Sequence, residues 1–176
     1  MNDIIKDRRN PTLKESLKEF SRPSLERWIE SDLEKIEENY KGDYDFILPV
    51  RDELIRIEVK ASRAVDANSS KPLYEKALYF NSEQPFWMNF QQIKPAHCDV
   101  FVWIAVWRDV IKYWVLSSDE VKNNRFYSKG QHRGNVGEGQ LHLREDNIAD
   151  FSIYEMNSIK LGEAIIKAYE RQKIHQ

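Results

Sequence analysis

Hydrophobic and polar positions along this chain change period several times, and each change marks an element. From Ser24, a plausible N-cap, the residues Leu25, Trp28, Ile29, Leu33 and Ile36 recur every three or four positions, which predicts an amphipathic helix ending near Asn39, before Lys41-Gly42. A shorter helix is expected around Leu13–Phe20. Tyr44–Leu48 and Leu54–Ala61 then read as extended runs joined by Pro49-Val-Arg-Asp-Glu53, a segment of hairpin length and turn chemistry. After the polar loop Asp66–Pro72, a second helical pattern starts at Ser82, with Pro85 in its first turn and Phe86, Phe90 and Ile93 on one side, and Pro95 stops it. Asp99–Trp107 is apolar at both alternate sets of positions, which predicts a central strand covered on both faces. Arg108-Asp109 turns it into a hairpin partner, Val110–Leu116. Ser117-Ser-Asp-Glu120 has the form of a capping box and predicts a short helix. Asn123–Gly139 reads as a basic, Gly-rich loop, Leu141–Leu143 and Phe151–Tyr154 as weaker strands, and the chain closes on a helix of about 158–173 with Leu161, Ala164, Ile165, Ala168 and Tyr169 inward. The order is that of one mixed α/β domain spanning 1–176, with no internal repeat or linker.

Composition narrows the class without naming a function. A chain of 176 residues can bury a real core, and a hydrophobic fraction of 41% with five Trp argues against disorder. No apolar run approaches the roughly 18 residues of a membrane span, and the N-terminus lacks an apolar signal core. Cys98 is the lone cysteine, so no internal disulfide can form, and a cytoplasmic location is expected. The net charge of −2 conceals an uneven distribution. Lys122, Arg125, Lys129, Arg133 and Arg144, with His132 and His142, lie in a stretch whose sole acid is Glu138, whereas Ser24–Tyr40 is rich in Glu. This permits a nucleic-acid partner on one side of the molecule.

The candidate chemistry sits on the first hairpin. Alternate residues of a strand share a face, so Glu58 and Lys60 point one way while Ile55, Ile57 and Val59 point toward the core. Closing the hairpin near Val50–Asp52 brings Asp45 beside the Lys60 end of its partner. Two carboxylates and an ammonium then converge. Mg²⁺ takes few protein carboxylates and keeps several waters, which leaves positions for phosphate oxygens. Asp45 and Glu58 supply the carboxylates and the Val59 carbonyl a further ligand, while Lys60 positions or helps deprotonate the attacking water and balances developing charge.

Gly42-Asp-Tyr-Asp45-Phe-Ile-Leu followed by Ile55-Arg-Ile-Glu58-Val-Lys60-Ala-Ser62 resembles the PD-(D/E)xK nuclease superfamily, with Tyr44 where the motif's name has Pro. The resemblance spans about 24–116, and a type II restriction endonuclease is the best fit within it. It implies a restriction-endonuclease-like core, a central mixed β-sheet flanked by helices, in a homodimer that cuts double-stranded DNA with Mg²⁺ (or Mn²⁺ in its place). It further implies an auxiliary Glu on the first helix, either Glu26 or Glu30, and an auxiliary Gln on the helix after Glu-x-Lys, either Gln91 or Gln92. The 122–144 region becomes the DNA-contacting segment, through Lys122, Arg125, Lys129, His132, Arg133 and Asn135.

Each signal has a plainer rival. In a chain with 32% charged residues, Glu-x-Lys also arises as a solvated strand face with a cross-strand ion pair to Asp45. The basic stretch also reads as a surface loop. A repair or structure-specific nuclease on the same core is a second enzyme reading, and a DNA- or protein-binding module without cleavage a third. Cys98 reads as structural, since no second Cys or nearby His completes a zinc set. Trp103, Trp107 and Trp114 are expected in the core, and Trp28 and Trp87 on helix faces.

Overall fold

The computed structural model describes residues 44–130 and 138–174. The expected helices before Tyr44, carrying Glu26, Trp28 and Glu30, lie outside the described residues, as do His132, Arg133 and Asn135. Within them the expected mixed α/β architecture is present, built on two sheets. The first is mixed and five-stranded, in the order β1 (Phe46–Val50), β2 (Glu53–Arg63), β5 (Val100–Val106), β6 (Ile111–Ser117) and β9 (Glu155–Met156). Only β2 and β5 pair in parallel. The second is antiparallel, in the order β3 (Val65–Asp66), β4 (Phe86–Ile93), β8 (Gly139–Arg144) and β7 (Tyr127–Lys129). Two α-helices lie among the described residues, α1 (Ser118–Lys122) and α2 (Leu161–Ile174).

The apolar run of β5 is central, as its pattern predicts, and its two faces feed two cores. Val100, Val102 and Ile104 join Ile55, Ile57 and Val115 against α2, whose Leu161, Ala164, Ile165 and Ala168 are buried. On the other face Phe101, Trp103 and Ala105 meet Trp114 and Leu116 of β6 and Met88, Phe90, Leu141 and Leu143 of the second sheet. Trp103 stacks on Phe90 at a centroid distance of 5.3 Å. Each such side chain contributes on the order of 1.5–3 kcal/mol by leaving water. Helices were expected to flank the sheet; among the described residues α2 covers one face and a second sheet covers the other.

The expected helix over 82–93 is the strand β4, and the cause is a bulge. Met88 and Phe90 are buried at period two and Phe86 packs against the same core. The pairing with β8 then shifts by one residue between Phe90 and Ile93, so Gln91 and Gln92 together oppose Gln140. Gln92 takes a φ of 56°, and Ile93 returns to the buried side. One extra residue thus turns an alternating pattern into the 86, 90, 93 spacing of a helix. Trp87 accordingly lies on β4 rather than on a helix face, with its ring 5.3 Å from that of His142.

Smaller differences have equally local causes. The hairpin loop shrinks to Arg51-Asp52, with Arg51 at φ 55°, because Pro49 and Val50 pair with Leu54 and Glu53. Phe151–Tyr154 belongs to a 3-10 helix, Ile148–Tyr154, whose Phe151 is buried while Ile153 is 75% exposed. The neighbouring Glu155–Met156 supplies the strand instead. The capping box forms as expected: Glu120 N–H donates to Ser117 Oγ at 3.2 Å, and Ser117 N–H donates to Glu120 Oε2 at 2.7 Å. Arg171 of α2 donates to both Glu120 oxygens, at 2.7 and 3.0 Å, tying α1 to α2. No helix among the described residues is long and apolar enough to cross a membrane.

Candidate active site

Register decides what β2 presents. Glu58 pairs with Phe101 and Lys60 with Trp103, so both charged residues stand on the face turned toward the second sheet. Ile57 and Val59 pair with Val100 and Val102 on the face turned to α2. The parallel β2–β5 pairing is held at its open end by Asp99, whose Oδ2 accepts from the backbone N–H of Arg56 at 2.8 Å and from its Nε at 3.0 Å, while Oδ1 accepts from Nη2 at 2.8 Å.

Asp45 lies just before β1, and its backbone N–H donates to the Ile57 carbonyl at 2.9 Å. Its side chain takes over where the ladder stops, with Oδ2 accepting from the Val59 N–H at 2.8 Å. In an extended strand the N–H and C=O of one residue point to the same side, so the Val59 carbonyl faces the Asp45 side of β2. Lys60 Nζ forms an ion pair with Glu58, and the two side chains are 18% and 15% exposed. Burial is the main influence on Glu58, raising its pKa above the ordinary carboxylate value; the Lys60 hydrogen bond and charge oppose this, Asp45 adds to it, and Lys94 offsets it. The structure thus brings Asp45, Glu58, Val59 and Lys60 together, as expected from the sequence.

The donor set is oxygen only: two carboxylates and a backbone carbonyl. Among the described residues no group of three or more His, Cys, Asp and Glu side chains gathers. Such a set suits a hard cation that retains much of its water, and does not suit zinc. The two carboxylates, drawn together where water is scarce, also gain from a positive charge between them.

The charge of Lys94 acts on Glu58, and no sequence pattern announces it. Strand β4 passes β2 on its polar face: Ser62 Oγ accepts from the Asn89 N–H at 3.0 Å, and beyond the strand's end Lys94 acts electrostatically on Glu58. Gln91 and Gln92 fall between these points, on a bulge and not on the expected helix. Lys94 Nζ lies 3.4 Å from Oε1 of Glu138, the residue just before β8. Placing Lys94 at the stop of a helix, as the hydrophobic spacing suggests, hides it from a search based on the hairpin.

The basic stretch is less free than its composition implies. The part expected as loop from Asn123 to Gly139 includes β7, and Gly130 N–H donates to the Glu138 carbonyl at 2.9 Å. Arg125 pairs with Asp150 at 2.6 Å and lies over the Phe126 ring at 4.7 Å. Arg144 pairs with Asp146 at 3.2 Å. Lys122 and Lys129 are exposed, at the end of α1 and on β7 respectively. The histidine and cysteine expectations are simpler. Trp87 and Arg144 neighbour His142, whose pKa is lowered by burial and then by the Arg144 charge. Cys98 is buried, with Sγ 3.5 Å from Ser118 Oγ, and burial pushes its thiol up to about 12, as suits a structural residue. No family model, curated protein or solved structure matches the chain.

Proposed function

We propose that the chain is a Mg²⁺-dependent endodeoxyribonuclease of the restriction type, acting on double-stranded DNA as a homodimer, with Asp45, Glu58 and Lys60 as its active site. The observation that carries this reading is the bond from Val59 N–H to the Asp45 carboxylate. It sets one acid, a strand carbonyl and the Glu58–Lys60 pair around the middle of β2. A solvated strand face has no need to set a second carboxylate beside the half-buried Glu58, where the Asp45 charge raises the cost of charging it.

Asp45, Glu58 and the Val59 carbonyl would hold Mg²⁺, with Mn²⁺ able to substitute. When bound, such a cation lowers the pKa of water and stabilises charge on a scissile phosphate. The chain's own residues do the rest. The Val59 N–H fixes the Asp45 carboxylate through Oδ2, so its orientation is set before any ligand arrives. Lys60, on the same face as Glu58, orients the attacking water and offsets negative charge as the phosphate becomes more crowded with it. Displacement of the 3′-oxygen leaves a 5′-phosphate. Lys122, Arg125 and Lys129, with His132, Arg133 and Asn135, are proposed DNA contacts, and the Asp150 partner makes Arg125 the least available of the described three.

The test is cleavage of plasmid and phage DNA with Mg²⁺ by wild type, Asp45→Ala and Lys60→Ala proteins. Discrete fragments that vanish in both variants support the restriction reading. Diffuse degradation lost in both keeps the site and favours a repair or structure-specific nuclease. Absence of cleavage on varied substrates, or cleavage indifferent to both substitutions, overturns the site and favours a binding module.

A further inference from the structure

We propose, on the nuclease reading above, that the outward row of β8, Gln140, His142 and Arg144, reads base edges of duplex DNA beside the candidate site. The row belongs to a face that the core does not use. Met88, Phe90, Leu141 and Leu143 point from β4 and β8 into the core, so alternation and pairing send Trp87, Asn89, Ser128, Gln140, His142 and Arg144 to the opposite side. A contact places this face next to the candidate site. The Asn89 N–H donates to Ser62 Oγ at 3.0 Å, and Ser62 stands two residues beyond Lys60 on the same face of β2, about 7 Å along the strand. Asn89 pairs in turn with His142, at the middle of the row.

The chemistry of the face suits a polyanion whose bases are read. None of these six outward residues is acidic, in a chain with 29 Asp and Glu. Phosphates ask for cations, whereas base edges ask for donors and acceptors at fixed points. Gln140 offers both through its amide. Burial and then the Arg144 charge lower the pKa of His142, so at neutral pH its ring carries one donor and one acceptor. Arg144 has the planar fork that matches a guanine edge. It pairs with Asp146 at 3.2 Å, but the two side chains are 51% and 67% exposed, so this partner is weakly held and yields to a base. The row is also fixed before any DNA arrives. Asn147, 2% exposed, accepts from the Arg144 N–H at 2.8 Å and donates to the His142 carbonyl at 2.9 Å. Among the described residues β7 pairs with β8 only over Gly139–Leu141, so further on β4 and β8 form a two-stranded ribbon, which the major groove admits.

An extended strand and a DNA duplex both advance about 3.4 Å, per residue and per base pair, so Gln140 and Arg144 should read positions about four base pairs apart. The measurement is selection by the full chain, without divalent metal, from a duplex DNA pool with a randomised centre, followed by sequencing of the bound fraction. Gln140→Ala and Arg144→Ala are each expected to relax base preference about 10-fold at a position of their own. Gln140→Glu, which keeps the size but loses the amide donors, should change the preferred base at the first position, and Arg144→Lys should relax the second; these keep the readout if an alanine variant fails to fold. Lys167→Ala, exposed on α2 against the other face of the first sheet, should leave the selected sequence unchanged. A sequence unchanged in the β8 variants, preference lost evenly at every position, or a wild type that selects no sequence overturns the β8 assignment, while DNA cleavage by the wild type keeps the nuclease reading. Wild-type protein that neither binds nor cleaves DNA overturns both.

Discussion

Two rows of side chains cross the same face of the same sheet, and their ends could hardly differ more. One row runs from Lys60 on β2 through Trp103 on β5 to Trp114 on β6; the next runs from Glu58 through Phe101 to Leu116. On β5 and β6 these residues are fully buried beneath Phe90, Leu141 and Leu143. On β2 they are charged, paired with each other and partly open. The four-stranded sheet packs over the β5 and β6 residues and leaves the β2 residues partly exposed. Core and candidate site are thus one surface, divided where the covering layer stops. A charge at that boundary keeps some water while its field is less screened than on an open surface. That is a favourable setting for binding a cation and a phosphate.

This contrast can be broken by substitutions on either side of that boundary. The largest expected effect is on catalysis: Asp45→Asn keeps an acceptor for the Val59 N–H but removes the charge, and DNA cleavage is expected to fall by about 100-fold or more with thermal stability nearly unchanged. Equal loss of stability and cleavage would mean that Asp45 is scaffolding. On the covered side, Trp103→Ala should cost on the order of 3–5 kcal/mol in urea unfolding, because it leaves a cavity against Phe90 and Phe151. A small loss there would show that the two sheets are not held by this core. Glu120→Ala removes the Glu120 half of the capping box of α1 and the anchor of Arg171 together, for an expected loss of about 1–3 kcal/mol. Glu120→Gln, which retains an acceptor for the Ser117 N–H, should lose less.

The smallest effect concerns Cys98. Its thiol is pushed up to about 12 from an ordinary value of 9.0, so folding favours the protonated form. The stability this contributes is fully present below pH 9 and declines as pH rises from there toward 12. Thiol alkylation near pH 8 should be slow in the native protein and fast in urea. Rapid native alkylation would mean that the cysteine is reachable from solvent.

How much of this was legible in advance depended on whether a signal was local. The β5 run, the Ser117–Glu120 box and the inner face of α2 were readable because each is carried by neighbouring residues with one period. Glu58 and Lys60 were readable on the same ground, since strand alternation alone puts them on one face. Asp45 required only a short hairpin. Strand β4 escapes a local reading because a bulge shifts the phase inside the pattern, and the shifted strand pattern imitates the spacing of a helix.

By itself the sequence determined the first hairpin, the doubly buried central strand, the short capped helix, the closing helix and the set of charged residues on β2. These follow from alternation, capping chemistry and turn length, all of which act over a few residues. Tertiary structure alone decided that a second sheet packs on the β5 and β6 positions of this face, that Arg125 is answered by Asp150, and that Lys94 pairs with Glu138. Those neighbours are separated by tens of residues along the chain, and only the pairing of β4 with β8 and the packing of one sheet on the other bring them together.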